Sequence, residues 1–557
     1  MVNKRGSTSH TSSQSNRLNR RDVVRQSAAA GLGAASAGML VSQGVSVASP
    51  QAAILARQSE EGTYGGTLRV GILGEPPTLD EHQTTANLVA DVTYPMYETL
   101  FAYDAEYQPI PHLVETYTPS EDGLTHTMTL RQGITFHNGE PMTAADVHAS
   151  VTRWAEISGL GQALFEVVEE FVELDETTVE LRLNSTFGPL LTALANNTQG
   201  CTIHPKSVLD AAGTLPFDDD SQLIGTGPYM LSERQADAYI RMVRFEDYVP
   251  REEPTNGYGG AKYAYLDQIE FLPVPDQAAR VAGLQSDDYH IAQEISNDQY
   301  EVLSESPGIV AEIRPPSFLD MFFLNWRSPW MSNLAMRQAF QAALEHDSML
   351  TASRGGGDFT RLDPGYMVQE VPWYTTAGEE FYNVNDPDLA RQKLEEAGYD
   401  GTPLRFLTTQ EYPFFYNASV IAQQQLEAVG FVIDLQVTDW ATVIERRGDE
   451  DAWDIFITFH GLVTHPSQLT LVGQMGVYPG WWDSEESLAL ASDLLSATEF
   501  DAQYAIWEEI QRKIYTEIPA VKIGDAAIAD YYSDQIGGWV SQLERGVPYW
   551  NLWLNDE

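Results

Sequence analysis

Two apolar periods alternate along the chain. Thr125–Leu130 switches between polar and apolar with a period of two and predicts a half-buried strand. Val147, Val151 and Trp154 fall at i, i+4 and i+7 and predict one apolar face of a helix. Between them a short strand is expected at 134–136, ended by His137-Asn138-Gly139, since Asn-Gly readily takes the positive φ of a tight turn. Thr143 stands where an N-cap belongs, with Asp146 three residues on, a weaker relative of the capping box. Upstream, the run 68–73 predicts a buried strand stopped by Pro76 and Pro77, and 86–100 a helix carrying Val89, Val92, Met96 and Leu100. Downstream, strands are expected at 181–189, 229–231, 266–274, 289–292, 320–325, 404–408, 431–437 and 453–459. Helices are expected at 190–195, 276–284, 333–344, 388–397, 418–429, 440–447 and 502–517. Strands alternating with helices predict α/β layers. Paired prolines at 315–316 favour an extended connector, so a crossover between domains is expected at 313–316, with the return at 518–521.

Length and charge narrow the classes. A chain of 557 residues exceeds one ordinary core, and two or three domains are expected. No run of 18 or more strongly apolar residues follows position 50, so no spanning helix is expected there. The single cysteine, Cys201, excludes an internal disulfide and a thiolate metal cluster, and reads as a small buried apolar residue. A formal charge of -48 makes nucleic acid and anionic membrane surfaces poor partners, because the field repels phosphate. The glycines of Ile224-Gly-Thr-Gly-Pro-Tyr229 are not a phosphate loop, since no Lys-Ser/Thr follows, and read as a turn into a strand.

Residues 1–50 read as an export leader. Asn19-Arg20-Arg21-Asp22-Val23-Val24-Arg25 resembles the twin-arginine signal, ahead of a weakly apolar run at 27–47 and small residues near Ala48 and Ala53. A periplasmic or extracellular location follows as an expectation. The leader holds no cysteine, so a lipid anchor is not expected.

The run D-G-x-x-x-T-x-x-L-R-x-G-I-x-F-H-N-G-x-P-x-T-A-x-D-V, starting at Asp122, resembles the signature of extracytoplasmic solute-binding proteins of the peptide/nickel/opine class, the binding components of ABC importers. E-P-x-x-L-D ending at Asp80, Y-E-x-L ending at Leu100, G-T-G-P-Y ending at Tyr229, F-x-L-N ending at Asn325 and R-Q-A-F-x-x-A-L ending at Leu344 are similar to further text of that family. The resemblance implies an α/β fold of the periplasmic-binding-protein type II-like kind, two α/β lobes with a hinge plus an inserted domain. It places domain I at 64–99, 196–311 and 521–557, inserted domain II at 100–195 and domain III at 312–520. It implies a monomer that holds a small-molecule or peptide ligand between the lobes and passes it to the importer's membrane permease, with no cofactor and no nucleic acid.

The resemblance also implies a site. A tryptophan opening the helix before a buried strand lines the cleft in peptide-binding relatives, and Trp440 matches it; Arg447 or Arg446 loosely matches an arginine one helix later. Asn325 joins the candidates through the F-x-L-N text. Those relatives pair the peptide's α-ammonium with an aspartate after the next strand, but here 455–472 contains no carboxylate and no arginine, and His465-Pro466 replaces Asp-Pro. A buried ammonium without a partner costs several kcal/mol, on the order of a lost ion pair. His460 and His465 fit better as neutral donors to hydroxyl or carboxylate groups, and Trp481 and Trp482 could stack on a sugar or aromatic face or simply pack. Two histidines without a third ligand are thin for a metal, and none is expected. No GxSxG, HExxH or phosphate loop is present, which argues against an enzyme. The main expectation is therefore oligopeptide or dipeptide binding. The alternatives are an oligosaccharide, an opine-like compound or a nickel complex, and more distantly a secreted hydrolase.

Overall fold

The computed structural model describes residues 62–541 and 547–555. The leader expected at 1–50 lies outside the described residues. Two mixed sheets organise the rest. In the first, the strands run in the order Ile309–Ile313, Ala529–Ser533, Ile291–Ala292, Thr67–Ile72, Gln268–Pro273, Tyr239–Arg244 and Tyr229–Gln235. The second runs Thr360–Arg361, Ala520–Ala526, Phe318–Leu324, Ile455–His460, Leu404–Thr409 and Ile433–Thr438. Each sheet contains three adjacent parallel strands. Thr67–Ile72 pairs in parallel with Gln268–Pro273 and Ile291–Ala292, and Leu404–Thr409 does so with Ile433–Thr438 and Ile455–His460. The central strand Phe318–Leu324 is buried at every position and apolar except at Asp320, whose carboxylate pairs with Arg354.

The predicted strand-turn-helix unit forms a third element, a sheet ordered Val114–Pro119, Thr125–Leu130, Thr178–Leu183 and Val168–Asp175. His126, Met128 and Leu130 turn inward on its second strand, and Val147, Val151 and Trp154 of the helix Ala144–Ile157 join the same core. Asp146 takes the backbone N–H of Thr143 at 2.8 Å and its hydroxyl at 2.7 Å. Its other oxygen takes the Lys206 N–H at 2.7 Å, tying the helix start to the helix Lys206–Ala212.

Four expected elements differ. The strand expected at 181–189 ends at Leu183. No strand forms at 134–136: Gly133 and Gly139 both turn with positive φ, and Thr135 makes only a single bridge to Pro141, which has no N–H to extend a ladder. The helix expected at 86–100 stops at Thr93, because Pro95 offers no N–H to continue it. The return crossover does not lie at 518–521. Ala520–Ala526 is a fully buried strand of the second sheet, and the chain changes sheet at Ala527-Ile528.

That return runs beside the outgoing connector. Ile313 pairs with Ala529 in the first sheet and Phe318 with Ala526 in the second. Between them Arg314 N–H donates to Ile528 O at 2.9 Å and Ser317 N–H to Ala526 O at 3.1 Å. Arg314 Nε donates to Asp530 Oδ2 at 2.7 Å in a buried ion pair. The two sheets are thus joined by a two-stranded ribbon. Among the described residues no helix is long and apolar enough to cross a membrane.

Candidate functional site

Side chains that meet ligands in open α/β sheets sit beyond the carboxyl ends of the parallel strands. In the second sheet those ends carry Glu411-Tyr412, Asp439-Trp440 and the loop after His460. Asp439 caps the helix Trp440–Arg447 by accepting from Thr442 N–H at 2.9 Å. The Trp440 N–H donates to Glu411 Oε2 at 3.0 Å, and its half-buried ring meets Tyr412 and Phe415 with centroids 5.3 and 5.5 Å apart. Trp440 is therefore an aromatic held in place from behind with part of its surface free.

The two histidines are engaged by the loop itself. His460 Nε2 accepts from Thr470 N–H at 3.1 Å, so Nδ1 carries the proton and donates to Gly461 O at 3.1 Å. Burial holds its pKa below the usual imidazole range. His465 is 2% exposed. Its Nδ1 accepts from Ser467 N–H at 3.2 Å, opening the next turn, and burial pushes its pKa down to about 3. The ring meets Trp373 edge-on, centroids 4.6 Å apart, and Nε2 has no hydrogen-bond partner. Beside it, Thr464 Oγ1 donates to Tyr103 OH at 2.6 Å, joining this loop to the inserted element.

The remaining expected residues lie elsewhere. Asn325 is fully buried, its Nδ2 donating to the carbonyls of Glu450 and Trp453, both at 2.8 Å. Arg447 Nη1 donates to Tyr478 OH at 3.1 Å. Trp482 is buried with Nε1 on Glu517 Oε2 at 2.6 Å, while Trp481 leans on Trp453 at 5.8 Å. Trp481 and Trp482 line a small crevice of about 10 Å³ with Phe323, Met475, Tyr478 and Pro519. The seven expected residues thus fall into an aromatic patch at Trp440, a loop that engages His460 and His465 from within but leaves His465 Nε2 unpaired, and a packed group around Tyr478.

A larger cavity, about 40 Å³, was not foreseen. Its walls include Tyr94, Tyr258, Trp550, Asn196, Glu81 and Lys262, drawn from the segments after the first strand, just after the inserted element, before the strand Gln268–Pro273 and near position 550. Glu98 also lines it and accepts from His112 Nε2 and Tyr248 OH, each at 2.8 Å, and from Thr226 Oγ1 at 2.9 Å. Burial alone would raise the Glu98 pKa, but His112, Lys262 and Tyr248 together hold it well below the carboxylate range. Glu81 is pushed up to about 7 by burial, although Thr93 hydroxyl donates to it. No sequence period links residues from four distant segments. The one available signal was Lys262 beside Gly259-Gly260, in a chain with six lysines. Among the described residues no group of three or more His, Cys, Asp or Glu is placed to hold a metal ion.

Comparison with known proteins places this geometry. Residues 108–472 match the family model "Bacterial extracellular solute-binding proteins, family 5 Middle". A probable peptide ABC transporter periplasmic-binding protein of Sinorhizobium fredii is 27% identical over 484 residues, 83% of this chain and 89% of that one. A glutathione-binding protein of Pectobacterium atrosepticum is 24% identical over 484 residues, again 83% and 89% of the two chains. The crystal structure of an ABC transporter substrate-binding protein from Listeria monocytogenes superposes with a TM-score of 0.76 at 20% identity, covering 89% of this chain and all of that one. The shared architecture is the type II periplasmic-binding-protein fold.

Proposed function

The chain belongs to the bacterial extracellular solute-binding proteins, family 5, and on that premise we propose that it captures a short peptide between its two sheet-bearing lobes and delivers it to the membrane permease of an ABC importer. The observation that carries this reading is the ribbon at 313–318 and 526–530, the connection between the sheets found in the middle of the chain. Two adjacent connectors let one lobe rotate on the other, and differential affinity for the closed arrangement drives the rotation. The lobes we assign are 64–99, 196–311 and the chain after 526; the inserted domain 100–195; and 312–526. The curated relatives in Sinorhizobium and Pectobacterium are described as peptide- and glutathione-binding, which supports a peptidic ligand. Trp440 is its aromatic anchor, export follows the twin-arginine route through Arg20-Arg21, and the ligand is held without turnover.

A second reading has one observation in its favour. The loop 455–472 offers no charge for a peptide terminus and its histidines are neutral, which suits an uncharged ligand such as an oligosaccharide. Calorimetry of the mature protein with a tri- to pentapeptide library and an oligosaccharide pool separates the two. Peptide binding that weakens by about 1–3 kcal/mol in Trp440→Ala supports the proposal. Binding of the oligosaccharide pool alone overturns it.

A further inference from the structure

We infer that the cavity beside Lys262, about 40 Å³, seats an anionic end group of the ligand, a carboxylate received by the Lys262 ammonium. This deepens the peptide-binding proposal and rests on it. Lys262 is 4% exposed, so its charge is held almost wholly away from bulk water. Its nearest anion, Glu98 Oε1, lies 3.7 Å away, beyond hydrogen-bonding length, and its other neighbour is the Trp550 ring at 4.3 Å. Glu98 Oε1, the oxygen nearest Lys262, already accepts from His112 and Tyr248, so the lysine is a long ion-pair partner to it and not a hydrogen-bond donor. The ammonium brings three donors to the cavity and no full-strength acceptor meets them.

The hydrogen-bonding capacity left in the cavity fits an anion better than a cation, although two carboxylates share its wall with the one lysine. His112 is neutral, with its pKa lowered to about 4 by burial. Glu81, the second carboxylate in the wall, accepts from Thr93 and from the backbone around Gly200, so its oxygens are occupied as well. A ligand ammonium would meet Lys262 with no free carboxylate to hold it. A ligand carboxylate would meet the N–H donors of the ammonium, with Asn196, whose amide already donates to Thr198 O, and the Tyr94 ring in the same wall. A charge-assisted hydrogen bond in so dry a setting is strong and directional. The cavity therefore supplies a charge of the kind 455–472 lacks, from walls built by the first lobe and the inserted element.

The test uses the mature chain and two peptide libraries of three to five residues, identical except that one is amidated at the carboxyl terminus, with retention read by native mass spectrometry. N-acetyl-phenylalanine and phenylalanine amide serve as terminal probes in calorimetry. Retention of the free-acid library at least tenfold above the amidated one, with the difference abolished in Lys262→Met and kept in Lys262→Arg, supports the assignment. The amidation comparison stands on wild-type protein even if Lys262→Met folds poorly. Equal retention of both libraries overturns this assignment and leaves peptide capture standing. Retention of neither library, with N-acetyl-phenylalanine still bound through Lys262, upholds the carboxylate seat and removes peptides as the class. Binding of neither library and neither probe overturns both.

Discussion

At the scale of single residues, burial decides more than residue type. Cys201 is fully buried, as its isolation in the sequence implied, and the surrounding apolar core raises its thiol well above the usual range. Only the thiolate is a competent nucleophile. Iodoacetamide at pH 8 is therefore expected to leave the folded protein unmodified and to label Cys201 fully in guanidinium, as intact mass would show; fast labelling of folded protein would contradict this core. The histidines teach the opposite lesson. His460 and His465 were legible as neutral polar groups, but their partners were not. Thr470 and Ser467 take them from within the loop, and local hydrogen bonds of this kind depend on backbone geometry that no residue pattern encodes. Lys262 was invisible for a different reason: its partners Glu98 and Trp550 lie 164 and 288 residues away along the chain.

At the scale of elements, period and cap were enough wherever one face met one core. The strand Thr125–Leu130 and the helix beginning after Thr143 formed as their spacing required. Reading failed where backbone donors, not side chains, set the outcome, at Pro95 and Pro141, and where a strand buried on both faces resembled a connector, at Ala520–Ala526. One junction depends on the absence of a side chain. Gly188 N–H donates to Leu495 O at 2.7 Å, joining the inserted element to the second lobe. A Cβ built there would stand 2.0 Å from Ala497 O and 2.1 Å from Gln503 Nε2. Gln503 can swing aside, but a backbone carbonyl cannot move without shifting the end of its helix. Gly188→Ala is expected to cost about 1–3 kcal/mol, the usual range for overpacking, as a lower midpoint in urea unfolding. An unchanged midpoint would mean that the two elements separate without cost.

At the scale of the whole molecule, a net charge of -48 hides the behaviour of the buried imidazoles. Burial is the first cause that lowers His112, His137 and His204 to about 4 and His346 and His465 to about 3. In the unfolded chain each titrates near 6.5. Between those values the unfolded state binds protons that the folded state refuses, so stability is present above pH 6.5 and falls as the pH drops. Glu81, raised to about 7, and Asp525, also raised by burial, act in the opposite sense, since their folded forms take up protons first. Five imidazoles against two carboxyls leave the acid side destabilised. Ion-paired carboxylates such as Glu98 begin to count only below about pH 4.5, where unfolded carboxyls take up protons. Surface repulsion would confuse the measurement, because neutralising acids relieves it as the pH falls. In 1 M salt the Debye length shrinks to about 3 Å and that repulsion is screened, while the buried groups are not. Under those conditions the unfolding free energy is expected to fall by an amount on the order of several kcal/mol from pH 6.5 to 4.5. A flat profile would show that these imidazoles reach solvent, and would undo the account of His465 as a sealed part of its loop.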